Sequence, residues 1–254
     1  MYKVVRCTRE KAGTFTESEH EVVLEVPLTI TVNGRHALTV MTSPVMVREL
    51  VTGLLYTERI IHGPDEIESI QIEPERVSVL TKNPFKILIS KKTVLSGCGG
   101  SSSFLDVAKL PKITSDLVID AADIRTGMKQ TLQSDLHAKT GGVHIVGLFN
   151  SGGMVCIAED IGRHNALDRV IGYGLLNNIP FSQTFVVSSG RVSSEMARKC
   201  LIAGIPIIVS RSATTSLAVE MAEKTGLTII GFARSDQMNI YTNPERIRGA
   251  GTGQ

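Results

Sequence analysis

With 254 residues, 42% of them hydrophobic and 20% charged, the chain has the composition of a globular protein that buries one large core or two smaller ones. A formal net charge of +2 without a lysine or arginine block gives no footprint for nucleic acid, and the absence of tryptophan removes an obvious stacking platform for single strands. No apolar run reaches membrane-spanning length and residues 1–6 lack the apolar core of a signal peptide, so a cytoplasmic location is expected.

Strands are expected at 22–26 and 28–32, both rich in β-branched and apolar residues. Asn33-Gly34 is a hairpin signal before a further strand at 37–40. Ser43 followed by Pro44 reads as a helix N-cap and first helical position, with Val47, Leu50, Val51, Leu54 and Leu55 at helical spacing behind it. Three strand-like runs follow, at 67–72, 76–80 and 85–89. Residues 1–115 therefore read as a small, mainly antiparallel α+β domain.

That domain ends in Leu95-Ser96-Gly97-Cys98-Gly99-Gly100-Ser101-Ser102-Ser103. A cysteine used for packing sits among apolar neighbours. Cys98 instead sits between glycines in a loop whose backbone N–H groups could favour the thiolate. The bland alternative is a surface loop with an incidental thiol. The other cysteines, Cys7, Cys156 and Cys200, form no C-x-x-C pair with it or with one another, which suits thiols used singly in a reducing compartment.

Residues 116–254 read differently. A helix at 124–132, with Gly127 its weak point, precedes a strand hairpin at 143–149 and 154–158 turned by residues 150–153. A helix at 163–176 follows, then a strand at 185–187 and a helix capped by Ser193 that ends near Gly204. The chain closes with a strand at 206–209, a helix at 215–224 stopped by Gly226, a strand at 227–230 and a glycine-rich tail from Arg248 expected to be mobile. Strands alternating with helices indicate a sheet covered on both faces.

Four polar clusters punctuate this half at strand ends, where open α/β sheets place ligands. They are His137–His144, Glu159–Asn165, Ser188–Glu195 and Phe232–Gln237. Helix N-termini with Arg163, Arg191 and Arg234 suit a phosphate-bearing ligand such as a nucleotide. Alternatively Ser193 only caps its helix, and the arginines pair with Glu159, Asp160 and Glu195. Zinc-ligand spacing, a deaminase signature, a P-loop and G-x-G-x-x-G are all missing. Spacing alone leaves open a Cys98 nucleophile served by His137 or His144.

Several motifs together resemble the formate dehydrogenase accessory sulfurtransferase family, FdhD. They are Pro27 to Gly34 with Thr42-Ser43-Pro44, Ser96-Gly97-Cys98-Gly99, Thr140-Gly141-Gly142-Val143-His144, Glu159 to Asp168, Ser189 to Met196 and Gly231-Phe232-Ala233-Arg234. The resemblance implies a carrier that takes sulfur as a persulfide on Cys98 from a cysteine desulfurase and passes it to the molybdenum cofactor of formate dehydrogenase. It implies binding of the bis(pterin guanine dinucleotide) cofactor at Phe232, Ala233, Arg234, Ser235, Asp236 and Gln237, with Arg163, His164, Ser189 and Arg191 as further pocket candidates. It also implies a cytidine deaminase-like three-layer second domain without protein-held metal, and a homodimer. Many members carry C-x-x-C in the loop; Ser101 stands at the second position here, so a one-thiol carrier is expected. A non-catalytic module that holds the cofactor and docks the target enzyme is the competing reading.

Overall fold

The computed structural model describes residues 1–83 and 109–250, which form three sheets. The Cys98 loop, the strand expected at 85–89 and the end of the tail at 251–254 lie outside the described residues. No helix among those described is long and apolar enough to cross a membrane.

The first sheet is absent from the sequence reading. Strands β1 (Tyr2–Lys11) and β2 (Thr14–Val23) pair antiparallel along their whole length as a two-stranded ribbon. Most of its residues are exposed, so no apolar alternation marks it. Its local signal is Ala12-Gly13, both at positive φ (51° and 83°), as a tight hairpin turn requires. Val22 and Val23 thus close β2, and the strand expected at 22–26 is divided between β2 and β3.

The second sheet joins β3 (Val26–Val32), β4 (Arg35–Thr42), β5 (Ile67–Glu73) and β6 (Arg76–Thr81) in the order β4-β3-β6-β5. Alternation puts Leu28, Ile30, Val32, Leu38, Val40, Val77 and Val79 on one face, against Leu50, Val51, Leu54 and Leu55 of α1 (Val47–Thr57). Only β3 and β6 run parallel in this sheet, so the antiparallel expectation for this region holds in the main.

Helix α1 starts at Val47, with Met46 in the left-handed region at φ 45° as N-cap; Ser43 does not cap it. Ser43 is engaged elsewhere. Its N–H donates to Asp160 Oδ2 (3.0 Å) and its carbonyl accepts from Arg169 Nη2 (2.6 Å).

The third sheet has the order β12-β11-β10-β9-β7-β8. Its strands are β7 (His144–Asn150), β8 (Gly153–Asp160), β9 (Thr184–Ser188), β10 (Ile207–Ser210), β11 (Thr228–Gly231) and β12 (Asn239–Ile240). Strands β9, β10 and β11 are parallel, while β7 opposes both β8 and β9.

Helix α2 (Ala121–Thr131) covers one face through Ile124 and Met128, which pack with Phe149, Phe185, Val187 and Val209. A short α3 (Asp135–Thr140) follows. The other face carries α4 (Arg163–Leu176), α5 (Ser194–Ala203) and α6 (Ser216–Thr225), packed on Val146, Leu148, Val186, Ile208 and Ile229. Both faces are covered, as expected. Gly127 is no weak point, because a side chain there would crowd Phe185 and Val187 at 3.3 Å.

Leu110 and Ile113, assigned by sequence to the first domain, pack on this second core, and Ile113 N–H donates to the Thr225 carbonyl (2.7 Å).

The two units meet where α1 crosses α4. A Cβ on Gly53 would overlap the Asp168 carbonyl, and one on Gly172 would overlap that of Glu49, so these backbones touch. Charged groups buried beside the crossing are matched. Asp160 and Arg169, both fully buried, pair at 2.7 Å, and Thr42 Oγ1 donates to Asp160 (2.6 Å). Lys199 Nζ lies 2.8 and 2.9 Å from the two oxygens of Asp168 and donates to Thr57 Oγ1 (2.9 Å). Burial pushes the Asp168 carboxyl up, while Lys199 and Thr57 oppose the shift.

Candidate functional site

Strand register brings the four polar clusters to one edge of the third sheet. His144 pairs with Asp160, Val146 and Ser210 both align with Ser188, and Val209 aligns with Ile230. The start of β7 and the ends of β8, β9, β10 and β11 therefore share that edge. Helices α4, α5 and α6 each begin just after one of these strands, so their N-termini open there as well and favour an anion.

A crevice of about 380 Å³ at this edge is lined by residues that include His137, Gly142, His144, Ile161, Ser189 and Arg211. It joins three of the four clusters. Ser189 Oγ accepts from Ile145 N–H (2.9 Å), leaving its own O–H to donate. His137 Nδ1 lies 3.0 Å from the Val143 carbonyl, a contact that needs a proton on Nδ1 and leaves Nε2 for the crevice. Gly190 lets the wall close up, since a Cβ there would sit 3.1 Å from His144 Nδ1 and 3.2 Å from the Arg163 stem.

His164, in the first turn of α4, has Nε2 3.3 Å from Ser193 Oγ, and that hydroxyl caps α5 by accepting from Met196 N–H (3.5 Å). Ser193 thus caps its helix as expected and also meets a site candidate. Arg191 is exposed on the turn between β9 and α5. The carboxylates that could have neutralised the arginines are largely taken, Asp160 by Arg169 and Glu195 by Arg198 (3.1 Å). The edge carries Arg163, Arg191, Arg211 and Arg234 as cations, with Glu159 and Asp236 as its further carboxylates.

Burial, reinforced by Arg163 and Lys199, pushes His164 down to about 3. Burial, Arg163 and His137 also lower His144, against a weaker pull from Asp160. His164 is thus neutral when folded but would titrate near 6.5 when unfolded. The unfolded state then binds the extra proton below that value, so acid weakens the fold until the pH nears the folded pKa. A loss of roughly 2 kcal/mol is expected between about pH 7 and about pH 5 from this group. Urea unfolding at both pH values checks it: His164→Gln should lose that part of the slope, and an unchanged slope would refute it.

Residues 232–237 lie next to the crevice without being among the residues that line it. Phe232 is 40% exposed and held at φ 50°, a costly conformation for an aromatic residue, with its N–H donating to the Ser212 carbonyl (2.9 Å). Ala233 is fully buried under α2, its N–H donating to the Ser210 carbonyl (3.0 Å). Arg234 N–H donates to the Gln237 carbonyl (2.8 Å), closing a turn that exposes Ser235, Asp236 and Gln237. The Arg234 guanidinium donates to the carbonyls of Ala233 (2.9 Å) and Arg211, tying this turn to the crevice.

Arg211 is the residue the sequence reading missed. Its signal is the same as that of the four clusters, a polar run directly after an apolar strand. Among the described residues no three or more His, Cys, Asp and Glu side chains converge as metal ligands.

The fold is a mixed α/β arrangement with helix N-termini and arginines along one sheet edge, and comparison with known proteins identifies its class. The family model for FdhD/NarQ proteins matches residues 23–248, and the chain belongs to this family. Two relatives, both described as sulfur carrier protein FdhD, come from Bacillus pumilus and Thermoplasma acidophilum. The first is 38% identical over 96% of each chain, the second 37% identical over 92% of this chain and 89% of its own. A crystal structure from Desulfotalea psychrophila, described as a formate dehydrogenase accessory protein, superposes with a TM-score of 0.82 at 30% identity. It covers 97% of this chain and 99% of its own.

Proposed function

We propose that the chain is a sulfur carrier that accepts persulfide sulfur from a cysteine desulfurase on Cys98 and passes it to the guanine-dinucleotide molybdenum pterin cofactor of formate dehydrogenase. The observation that carries the reading is the basic sheet edge, beside which residues 232–237 would hold the guanine dinucleotide. Arg163, His164, Ser189 and Arg191 would flank it. The names of its relatives support the sulfur step. A cytoplasmic homodimer belongs to the same proposal.

The thiols are not equivalent. Burial pushes both Cys156 and Cys200 up to about 12, which keeps them protonated and poorly nucleophilic, and Cys7 lies on the exposed ribbon. In the loading step the Cys98 thiolate attacks the terminal sulfur of the donor's persulfide. The donor's S–S bond breaks, its cysteine leaves as thiolate, and the new S–S bond is on Cys98. With serine at position 101, no thiol there can discharge this persulfide as an internal disulfide.

Incubation with a cysteine desulfurase and free cysteine, followed by intact mass measurement, tests the reading. One added sulfur atom is expected on the wild type and none on Cys98→Ala. No addition to the wild type, or equal addition to the variant, contradicts it and favours a module that only holds the cofactor.

A further inference from the structure

We propose that the β1–β2 ribbon is a docking arm for a partner protein, presenting an acidic face with an aromatic tip to a basic surface that holds an apolar pocket. The ribbon ends where the family model begins, at residue 23, so it stands apart from the features that define the family.

Register sorts its side chains into two unlike faces. Residues opposite each other in an antiparallel pair share a face, and neighbours along a strand alternate. Glu17, Glu19 and Glu21 therefore share one side with Glu10 and Arg6. The other side carries Lys3, Arg9 and Lys11 with His20 and no carboxylate. Charges mixed on both faces would have kept the ribbon solvated equally well. Sorting them leaves four glutamates against one arginine on the first side.

The acidic side also holds the apolar anchors. Phe15 is 71% exposed beside the turn and Val4 56% exposed nearer the base, so the carboxylates lie between two uncovered apolar groups. An exposed aromatic ring beside a charged stripe has the makeup of a protein contact, with an anchor for a pocket and charge to steer it. The same carboxylates repel nucleic-acid phosphates and anionic lipid headgroups, which leaves a protein carrying lysine or arginine around an apolar pocket. A second copy fits worse, because two ribbons stacked about a two-fold axis set this face against itself, acid on acid.

The arm is built to hold its shape. Glu10 Oε1 accepts from Gly13 N–H (2.5 Å) at the turn. At the base Leu24 N–H donates to the Met1 carbonyl (2.9 Å), and Lys139 Nζ lies 5.4 Å from the centre of the Tyr2 ring. Order at both ends lowers the entropy cost of docking.

The two enzymes on either side of a sulfur carrier, a cysteine desulfurase and formate dehydrogenase, serve as probes, a choice that rests on the sulfur reading above. Biolayer interferometry on the immobilised full-length chain measures each. At least one is expected to bind the wild type, and Phe15→Ser should weaken it by on the order of tenfold or more. Glu17→Lys with Glu19→Lys should slow association by about tenfold at low salt, a gap that closes as salt is raised. Lys3→Glu with Lys11→Glu, on the opposite face, should bind as the wild type does. All these side chains are exposed, and thermal unfolding confirms that each variant is folded. Binding of neither enzyme, or binding that the Phe15 and glutamate variants leave unchanged, overturns the arm. A wild-type dimer that these variants split in sedimentation assigns the face to a second copy and overturns it too. Sulfur addition to Cys98 at saturating donor judges the carrier reading separately.

Discussion

Alanine at Gly53 or Gly172 is expected to cost about 3 kcal/mol or more of folding stability, far above the usual price of a surface methyl group. Each glycine lies where α1 and α4 touch backbone to backbone, and a Cβ at either would overlap the carbonyl of Asp168 or of Glu49. A flexible side chain could move aside; a helical carbonyl cannot. The helices must separate, and the matched groups beside the crossing separate with them. Urea unfolding reads the loss directly. The double variant should cost less than the sum of the singles, because the first methyl already opens the gap the second needs. A loss below about 1 kcal/mol in either single variant would mean that the two units are not locked through this crossing.

Arg169→Met is expected to cost about 3–5 kcal/mol, the range for breaking a buried pair by removing one partner. Asp160 would keep its bonds from Thr42, Ser43, Gly162 and Asn165 but lose the Arg169 charge paired with it. Arg169 also donates to the Ser43 and Glu159 carbonyls, so the variant loosens the segment between β4 and α1 as well. Adding Asp160→Asn to Arg169→Met should recover part of the loss, since the uncompensated charge goes. If the double variant is as unstable as the sum of the singles, the pair is not coupled and the interpretation fails.

These two predictions fall on residues whose importance is invisible in the sequence, and the reason is instructive. Helix α4 was legible to its ends, because Leu167, Val170 and Ile171 repeat at helical spacing and Gly162 sits before it. The cap Ser193 and the closing glycines 204 and 226 were equally legible, because capping is local chemistry, whereas Thr215, expected as the first helical residue, is the N-cap of its helix. Register then did the rest: once the strands of the third sheet are ordered, the four polar clusters have to share an edge. What stayed hidden is set by partners distant in sequence. Ser43 looks like a cap until Asp160 and Arg169 claim its backbone, and Gly172 looks like a defect in a helix until Gly53 arrives across from it. The ribbon of β1 and β2 was hidden for the opposite reason, since a solvated element leaves no apolar pattern. Arg211 was readable by the rule that found its neighbours and was simply one strand further on.

The most direct test of the account is whether a guanine nucleotide binds at this sheet edge. GDP titrated into the labelled protein and followed through backbone amide shifts should give saturable changes in residues 232–237 and around Ser189 and Arg211, with Arg234→Gln weakening them. No saturable binding, or shifts confined to the second sheet or the ribbon, would contradict it.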